Sequence, residues 1–139
     1  MPIALLLTSD VLDVHYDDDN AWLYLDWKGP QELEFVQAAC KVLLGIIKLT
    51  GVRKALNDNT HITETSWELA RWVAEDFLPQ VAETGLEYVA WVSSPLLSCR
   101  GNVDMMSNLS VPRPQVAIFD EVAEAYAWLS SVNVPIVAP

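Results

Sequence analysis

Stretches with the period of an α-helix alternate with stretches with the period of a β-strand along this chain, and this order restricts the possible folds more than any other feature. Between Leu33 and Ile47, apolar residues recur at steps of three and four, which is typical of the buried face of an amphipathic helix. Residues 11–16 instead alternate between more polar and less polar side chains, as a strand does. Helices that alternate with strands cover a largely parallel sheet through right-handed crossovers. The order therefore predicts an α/β fold.

The N-terminal part predicts an antiparallel hairpin, with strands at residues 11–16 and 21–27 joined by an acidic turn. We expect the first helix to start at Gly29-Pro30, because proline suits the first position of a helix, and to end at Thr50-Gly51. The whole is an N-terminal antiparallel β-hairpin joined to a mostly parallel sheet of about five strands with four helices, in a single domain over residues 1–139. The further predicted elements are strands at 53–57, 86–92 and 115–119, a second helix that begins at Thr65 and ends before Gly85, and helices at 98–109 and after Asp120.

The charge balance argues against several classes of partner. The formal net charge is −11, and the 8 Lys and Arg residues are scattered, so we expect no nucleic-acid partner. The opening apolar run is too short for a secretion signal or a membrane span, which predicts a cytoplasmic protein without membrane insertion. A hydrophobic fraction of 52% indicates a globular chain.

Motifs that carry catalysis are absent from the sequence, whether a nucleophile elbow, a phosphate-binding glycine loop, a dinucleotide fingerprint or a zinc spacing. The acidic run at residues 17–19 lacks the glycine and the terminal glutamate of a calcium loop. We therefore predict no metal and no cofactor, and a hydrolase or transferase is the weakest functional hypothesis.

The best candidate site is the polar stretch at residues 57–66, which follows a short apolar strand and precedes the second helix. Ligands and partners usually bind at this carboxyl edge of an open α/β sheet. The alternative is that these residues only close the turn and cap the helix, as Asn and Asp commonly do. The candidate contacts to a protein partner or ligand are Asn57, Asp58, Asn59, Thr60 and His61.

Three hydroxyl side chains near the start of the second helix, Thr63, Thr65 and Ser66, are candidate phosphorylation sites. Added negative charge is tolerated at the positive end of a helix dipole. The alternative is simple capping, in which Thr65 and Glu68 form a capping box.

The 6 tryptophans are too many for all of them to be buried, so some aromatic surface should be exposed. Trp72 lies about 100° from the apolar stripe of the second helix. Together with Leu69 it is our candidate surface for self-association as a homodimer. Packing of Trp72 in the core is the alternative.

Four segments carry a family resemblance: LDWKGP at 25–30, KALNDNT at 54–60, WELARWVAEDFLP at 67–79 and YVAWV at 88–92. In these segments and in element order the chain resembles the SpoIIAA-like branch of the STAS and SEC14-related superfamily of small bacterial proteins. The resemblance implies a non-catalytic regulatory or protein-interaction module in bacterial signalling. In the anti-anti-sigma relatives, phosphorylation of a serine at the start of the helix after the third strand decides whether a partner kinase is bound.

The region of this chain that corresponds to the phosphorylated segment is residues 57–66. It departs from the family's Asp-Ser-Ser-Gly pattern, because Asp-Asn-Thr stands at 58–60 and Thr-Glu-Thr-Ser at 63–66. The SEC14 relatives imply the alternative function, which is the binding of a small lipophilic ligand.

Overall fold

The computed structural model of the chain describes residues 3–94 and 114–132. These residues form one six-stranded sheet in which each strand lies beside its neighbours in the sequence. The first three strands are antiparallel and the third to the sixth are parallel, which confirms the predicted α/β fold. The strands are β1 (Ile3–Thr8), β2 (Leu12–Asp17), β3 (Trp22–Pro30), β4 (Lys54–Glu64), β5 (Tyr88–Val92) and β6 (Gln115–Phe119).

The sheet has one strand more than the hairpin and the later segments predict, because β1 forms a separate strand on its outer edge. β1 pairs with β2, and its other edge has no strand partner among the described residues. Ile3, Leu5 and Leu6 are exposed there. The outer edge is therefore apolar, with backbone groups that no described strand pairs.

Four α-helices and one π-helical turn lie in the described part of the chain. The predicted helix at residues 98–109 lies outside the described residues. In the ranges 3–94 and 114–132, no helix is both long enough and apolar enough to span a bilayer. The helices are α1 (Leu33–Thr50), α2 (Trp67–Trp72), α3 (Leu78–Ala82) and α4 (Val122–Ser131), and the π-helical turn (Val73–Phe77) joins α2 to α3.

Helix α1 ends where predicted, and Gly51 after it takes a left-handed φ of 66°, which favours glycine. Its predicted start at Gly29-Pro30 is wrong, because β3 continues through Pro30. The N–H of Gln31 then donates to the carbonyl of Glu64 at 2.9 Å. Backbone pairing with β4 outweighs the local preference of proline for the first turn of a helix.

The second predicted helix is widened by the π-helical turn. There the N–H of Leu78 donates to the carbonyl of Val73, five residues earlier, whereas an α-helix bonds to the fourth residue back. Pro79 has no N–H to donate, and its ring needs room beside the preceding turn. We attribute the wider turn to this proline.

The sheet carries a helical layer on each face. On the first face, α1 and the α2–α3 segment pack on alternate strand residues such as Leu25 and Ala55. On the second face, α4 packs on intervening residues such as Leu56. Because successive residues of a strand point to opposite faces, Asn57 faces the first layer and Asp58 the second.

Candidate functional site

Strand β4 carries most of the polar stretch at residues 57–66, so the prediction that this strand ends at Asn57 is wrong. β4 runs from Lys54 to Glu64, and Asp58 pairs with Val92, the last residue of β5. Beyond Asp58, β4 continues for six residues beside the end of β3. Pairing with β3 keeps this segment extended, although its Asn and Asp residues favour turns.

Asn57 and Asn59 lie buried on the first face. Asn57 Oδ1 accepts a hydrogen bond from Trp27 Nε1 at 2.7 Å, and Asn57 Nδ2 donates to Asn59 Oδ1 at 3.2 Å. Asn57 is 5% exposed and Asn59 is 7% exposed. A protein on the surface would not contact these two side chains directly, so they fix the junction of β3 and β4 from inside.

A small cavity of about 80 Å³ lies beside these asparagines, between the first face of the sheet and helices α1 and α2. Its wall includes Asn59, Thr65 and Trp91, together with apolar side chains such as Leu69 and the thiol of Cys40. Burial raises the pKa of the Cys40 thiol to about 12. Trp91 Nε1 is buried, and within the ranges that the structure describes it has no hydrogen-bond partner. The cavity is thus mainly apolar, and one of its wall residues has a buried indole N–H without a partner among the described residues.

On the second face, Asp58 is a buried carboxylate that is 1% exposed. It accepts hydrogen bonds from the hydroxyl of Tyr24, from the hydroxyl of Thr60 and from the Thr60 N–H at 2.9 Å. Burial and the bond to Asp58 raise the pKa of Tyr24. Three donors satisfy the carboxylate, as a buried charge requires, and Asp58 therefore anchors β4 to β3.

Asp26 and His61 contact each other on the same face of the sheet as Asp58. His61 Nδ1 lies 3.0 Å from Asp26 Oδ1, and the hydrogen bond and the charge of Asp26 raise the pKa of His61. The register of β3 and β4 shifts between Asp26 and Lys28. Such an irregularity re-aims side chains, and it brings His61 to the side of Asp26.

Asp26, His61 and the nearby Asp58 together form a candidate metal-ligand set. One ligand atom each from Asp26, Asp58 and His61 lie within 4.8 Å of one another. Carboxylate and imidazole ligands suit zinc and other divalent first-row transition metals. Asp26 is not among the residues predicted from the sequence. The one available signal is that Asp26, like Asp58, lies near the carboxyl end of its predicted strand.

The three hydroxyl residues near α2 have different environments. Thr63 and Ser66 are exposed, whereas Thr65 is half-buried and lines the cavity. Ser66 is the N-cap of α2, and its Oγ accepts from the N–H of Leu69 at 3.1 Å. The predicted capping box of Thr65 and Glu68 is therefore wrong by one residue, because β4 extends to Glu64 and delays the start of the helix.

The two residues proposed for self-association lie mostly against the core. Leu69 is 5% exposed, and Trp72 is half-buried and stacks on Phe77 with ring centroids 5.8 Å apart. Leu69 therefore supplies almost no exposed apolar surface. The exposed aromatic residue of α2 is Trp67, at 58%.

Comparison of the fold with solved structures finds similar proteins. A solved structure of an uncharacterized DUF3478-family protein with a SpoIIAA-like fold, from Shewanella loihica PV-4, matches with a TM-score of 0.58 and 18% identity, over 88% of this chain and 98% of that chain. This chain has a SpoIIAA-like fold. The fold predicted from the sequence is thus confirmed.

Apo-SiaC from Pseudomonas aeruginosa is more distantly similar to this SpoIIAA-like chain, with a TM-score of 0.47 and 14% identity, over 85% of this chain and 98% of that chain. No family model matches the sequence, and no curated protein matches it.

Proposed function

We propose that this protein is a non-catalytic, STAS-like regulatory module that binds a protein partner through the end of β4 and the start of α2. We call this stretch, residues 60–68, the β4–α2 segment. Seven of its nine residues are exposed. It begins two residues after Asp58, which lies level with the end of β5, and it therefore lies at the edge of the sheet where partners are usually received.

The observation that carries this proposal is the exposure of Trp67. At 58% exposed, it presents a large aromatic ring beside the hydroxyl of Ser66. Tryptophan is enriched among the few interface residues that supply most of the binding energy, and polar residues commonly surround them. A Trp whose chain neighbours are the exposed Ser66 and Glu68 fits that arrangement.

The backbone below the segment is held in place before any partner arrives. Asp58 bonds to Tyr24 and Thr60 on one face, and Asn57 bonds to Trp27 on the other. A segment that is already ordered loses less conformational entropy on binding. This rigidity supports a docking role for the β4–α2 segment.

The charge of the chain indicates the character of the partner. The net charge is −11, and Glu64 and Glu68 add exposed carboxylates within the segment. Complementary potentials accelerate association and select partners. The proposed partner is therefore a protein with a basic face.

Phosphorylation at Thr63 or Ser66 would regulate this docking. Both are exposed, and a phosphate adds nearly two negative charges at neutral pH. Beside Glu64 and Glu68, that charge would strengthen the attraction to a basic partner. Thr65 is the weaker candidate, because it is half-buried against the cavity.

Affinity capture from the native cell tests this function, with Trp67→Ala compared with wild type. Truncation of an interface hot spot typically costs about 2 kcal/mol or more, so we expect recovery of the partner to fall by about 30-fold. The matched control is Leu5→Ala, because Leu5 is a 54% exposed apolar residue on a distant strand. Equal loss with both variants, or full recovery with Trp67→Ala, would overturn the proposal.

The second candidate function is the binding of a small ligand in the cavity. The buried Trp91 Nε1 without a described partner favours it, since a buried donor is normally satisfied. The volume of about 80 Å³ suits a small molecule with a hydrogen-bond acceptor and not a whole lipid. Native mass spectrometry of freshly purified protein distinguishes the two functions. A copurified small molecule that Trp91→Phe loses supports this candidate, and an unliganded mass contradicts it.

A further inference from the structure

Helix α1 has a second apolar stripe that the core does not use. Its buried side faces the sheet through residues such as Val36 and Leu43. On a neighbouring side of the helix, roughly 100–140° around its axis from the buried side, Phe35, Val42 and Leu49 are 58%, 49% and 88% exposed. Surface helices normally carry polar residues on the side away from the core, so this stripe calls for an explanation.

The spacing of the exposed stripe is that of a helix–helix interface. Phe35, Val42 and Leu49 are seven residues apart, and the exposed Ala38 and Gly45 lie three residues after the first two. Steps of three and four over two heptads are the pattern by which one helix packs along another. The stripe therefore fits a second helix better than it fits solvent.

Gly45 supports this interpretation independently. A glycine inside a helix is less stable than alanine there, and a Cβ built at Gly45 meets no atom within 4 Å. Within the described chain, therefore, nothing requires a glycine. The space it leaves would be filled from outside by a large side chain of another molecule.

The flanking charges select a second copy of this chain in antiparallel orientation. Glu34, Lys41 and Lys48 each precede one residue of the stripe. In an antiparallel pair, Glu34 of each copy would face Lys48 of the other, which gives two ion pairs. The two Lys41 side chains would face each other near the axis, which gives one like-charge contact against those two pairs. A parallel pair would place these charges opposite positions 39 and 46, which are Ala and Ile, and would form no ion pair.

The same antiparallel register matches large side chains with small ones. It sets Phe35 over Gly45 of the second copy and Val42 over Ala38, and the two-fold axis repeats both contacts. We propose that the protein forms a two-fold symmetric homodimer through the exposed stripe of α1, with Phe35 seated over Gly45 of the second copy. Such an interface is isologous, as most homodimer interfaces are.

A groove beside the stripe extends the surface available to this dimer. It has a volume of about 470 Å³ and is lined by Phe35, Ala38 and Val42 on one side and by Leu7 and Val11 among others on the opposite side. A stable interface usually buries about 1,200 Å² or more in total. Covering this groove together with the stripe brings the contact nearer to that size than two helices alone.

Sedimentation equilibrium measures the dissociation constant of this dimer. Gly45→Leu places a side chain where Phe35 of the second copy would lie, so we expect a monomer at concentrations at which wild type is a dimer. At a concentration low enough for wild type to be monomeric as well, the melting temperature of the variant should not fall, because the site is open within the chain and leucine favours helix over glycine. A dimer that survives Gly45→Leu would overturn the proposal.

A charge exchange tests the orientation separately. Glu34→Lys and Lys48→Glu should each weaken the dimer by roughly tenfold, because each breaks two cross-chain pairs and brings like charges together. The double variant restores opposite charges and should return the dissociation constant close to that of wild type. Additive weakening in the double variant, a monomeric wild type, or a dimer lost only with Leu5→Ala on β1 would each refute this interface.

Discussion

Replacing Tyr24 with phenylalanine tests whether the buried network around Asp58 holds β4 against β3. The ring stays in place and only the hydroxyl that donates to Asp58 is lost. A hydrogen bond to a charged group contributes about 1.5–3 kcal/mol. Because Asp58 keeps its two bonds from Thr60, we expect a loss near the lower end, about 1.5–2 kcal/mol of unfolding free energy.

Urea denaturation at neutral pH, followed by tryptophan fluorescence, gives this free energy. The matched control is Tyr16→Phe, since Tyr16 packs against the core with its ring and its hydroxyl bonds to no group in the described residues. That variant should change the free energy by less than about 0.5 kcal/mol. In an Asp58→Asn background, Tyr24→Phe should cost about 1 kcal/mol less than in wild type, because the acceptor is then neutral. Equal effects of the two tyrosine variants would refute the role given to the Tyr24 hydroxyl.

The pH dependence gives an independent check on Tyr24. Its pKa in the folded chain is raised by burial and by Asp58, so the stabilisation is complete below the ordinary tyrosine pKa of about 10. It is lost as the pH rises above that value, because the unfolded chain then releases the proton more readily than the folded one. The stability gap between wild type and Tyr24→Phe should therefore narrow above about pH 10.

Three further predictions concern capping, charge and thiol reactivity. Ser66→Ala should lower the unfolding free energy by about 1 kcal/mol through loss of the cap, and Thr65→Ala by clearly less, in urea denaturation. Asp26 raises the pKa of His61. The difference in melting temperature between wild type and His61→Gln should therefore be largest below about pH 6.5 and should disappear at alkaline pH. Cys40 is 2% exposed, and its thiol should react with a thiol reagent only on unfolding, as mapped by mass spectrometry.

Each of these predictions has a clear contrary outcome. If Thr65→Ala lowered the unfolding free energy more than Ser66→Ala, Thr65 and not Ser66 would be the residue that caps α2. A His61→Gln gap that is constant with pH would mean that the ion pair with Asp26 does not stabilise the fold. Rapid labelling of Cys40 in the native protein would contradict its burial on the side of α1 that packs against the core.

The fold was predictable from the sequence because its signals are periodic and repeated. The apolar stripe of α1 is buried as expected, at Val36, Cys40, Leu43 and Ile47. Such a stripe indicates both that the segment is helical and which of its faces packs against the core. Gly51 likewise ends α1 for a local reason. Where the cause of an element lies within a few neighbouring residues, the sequence reading succeeded.

The candidate site was less predictable because its causes are non-local. Asn57, Asp58 and Asn59 have turn propensities, yet all three lie within β4, which pairing with β3 on both sides of Asn59 holds extended. Asp26 reaches His61 through an irregular register between two strands that lie 35 positions apart in sequence at these residues. Neither the pairing of β3 with β4 nor the shift in their register can be predicted from the sequence of one of these strands alone.

The π-helical turn before Pro79 has a consequence for how substitutions in this helical segment should be interpreted. By holding one residue more than a regular turn, it changes the phase of the side chains about the helix axis by roughly 100°. Leu69 and Val81 are therefore both buried, although regular α-helical winding would place these two side chains on different sides of the helix. Deleting a single residue from Val73–Phe77 would restore ordinary winding and turn one end of the segment out of the interior, whereas the same deletion in a solvent loop would leave every buried contact in place.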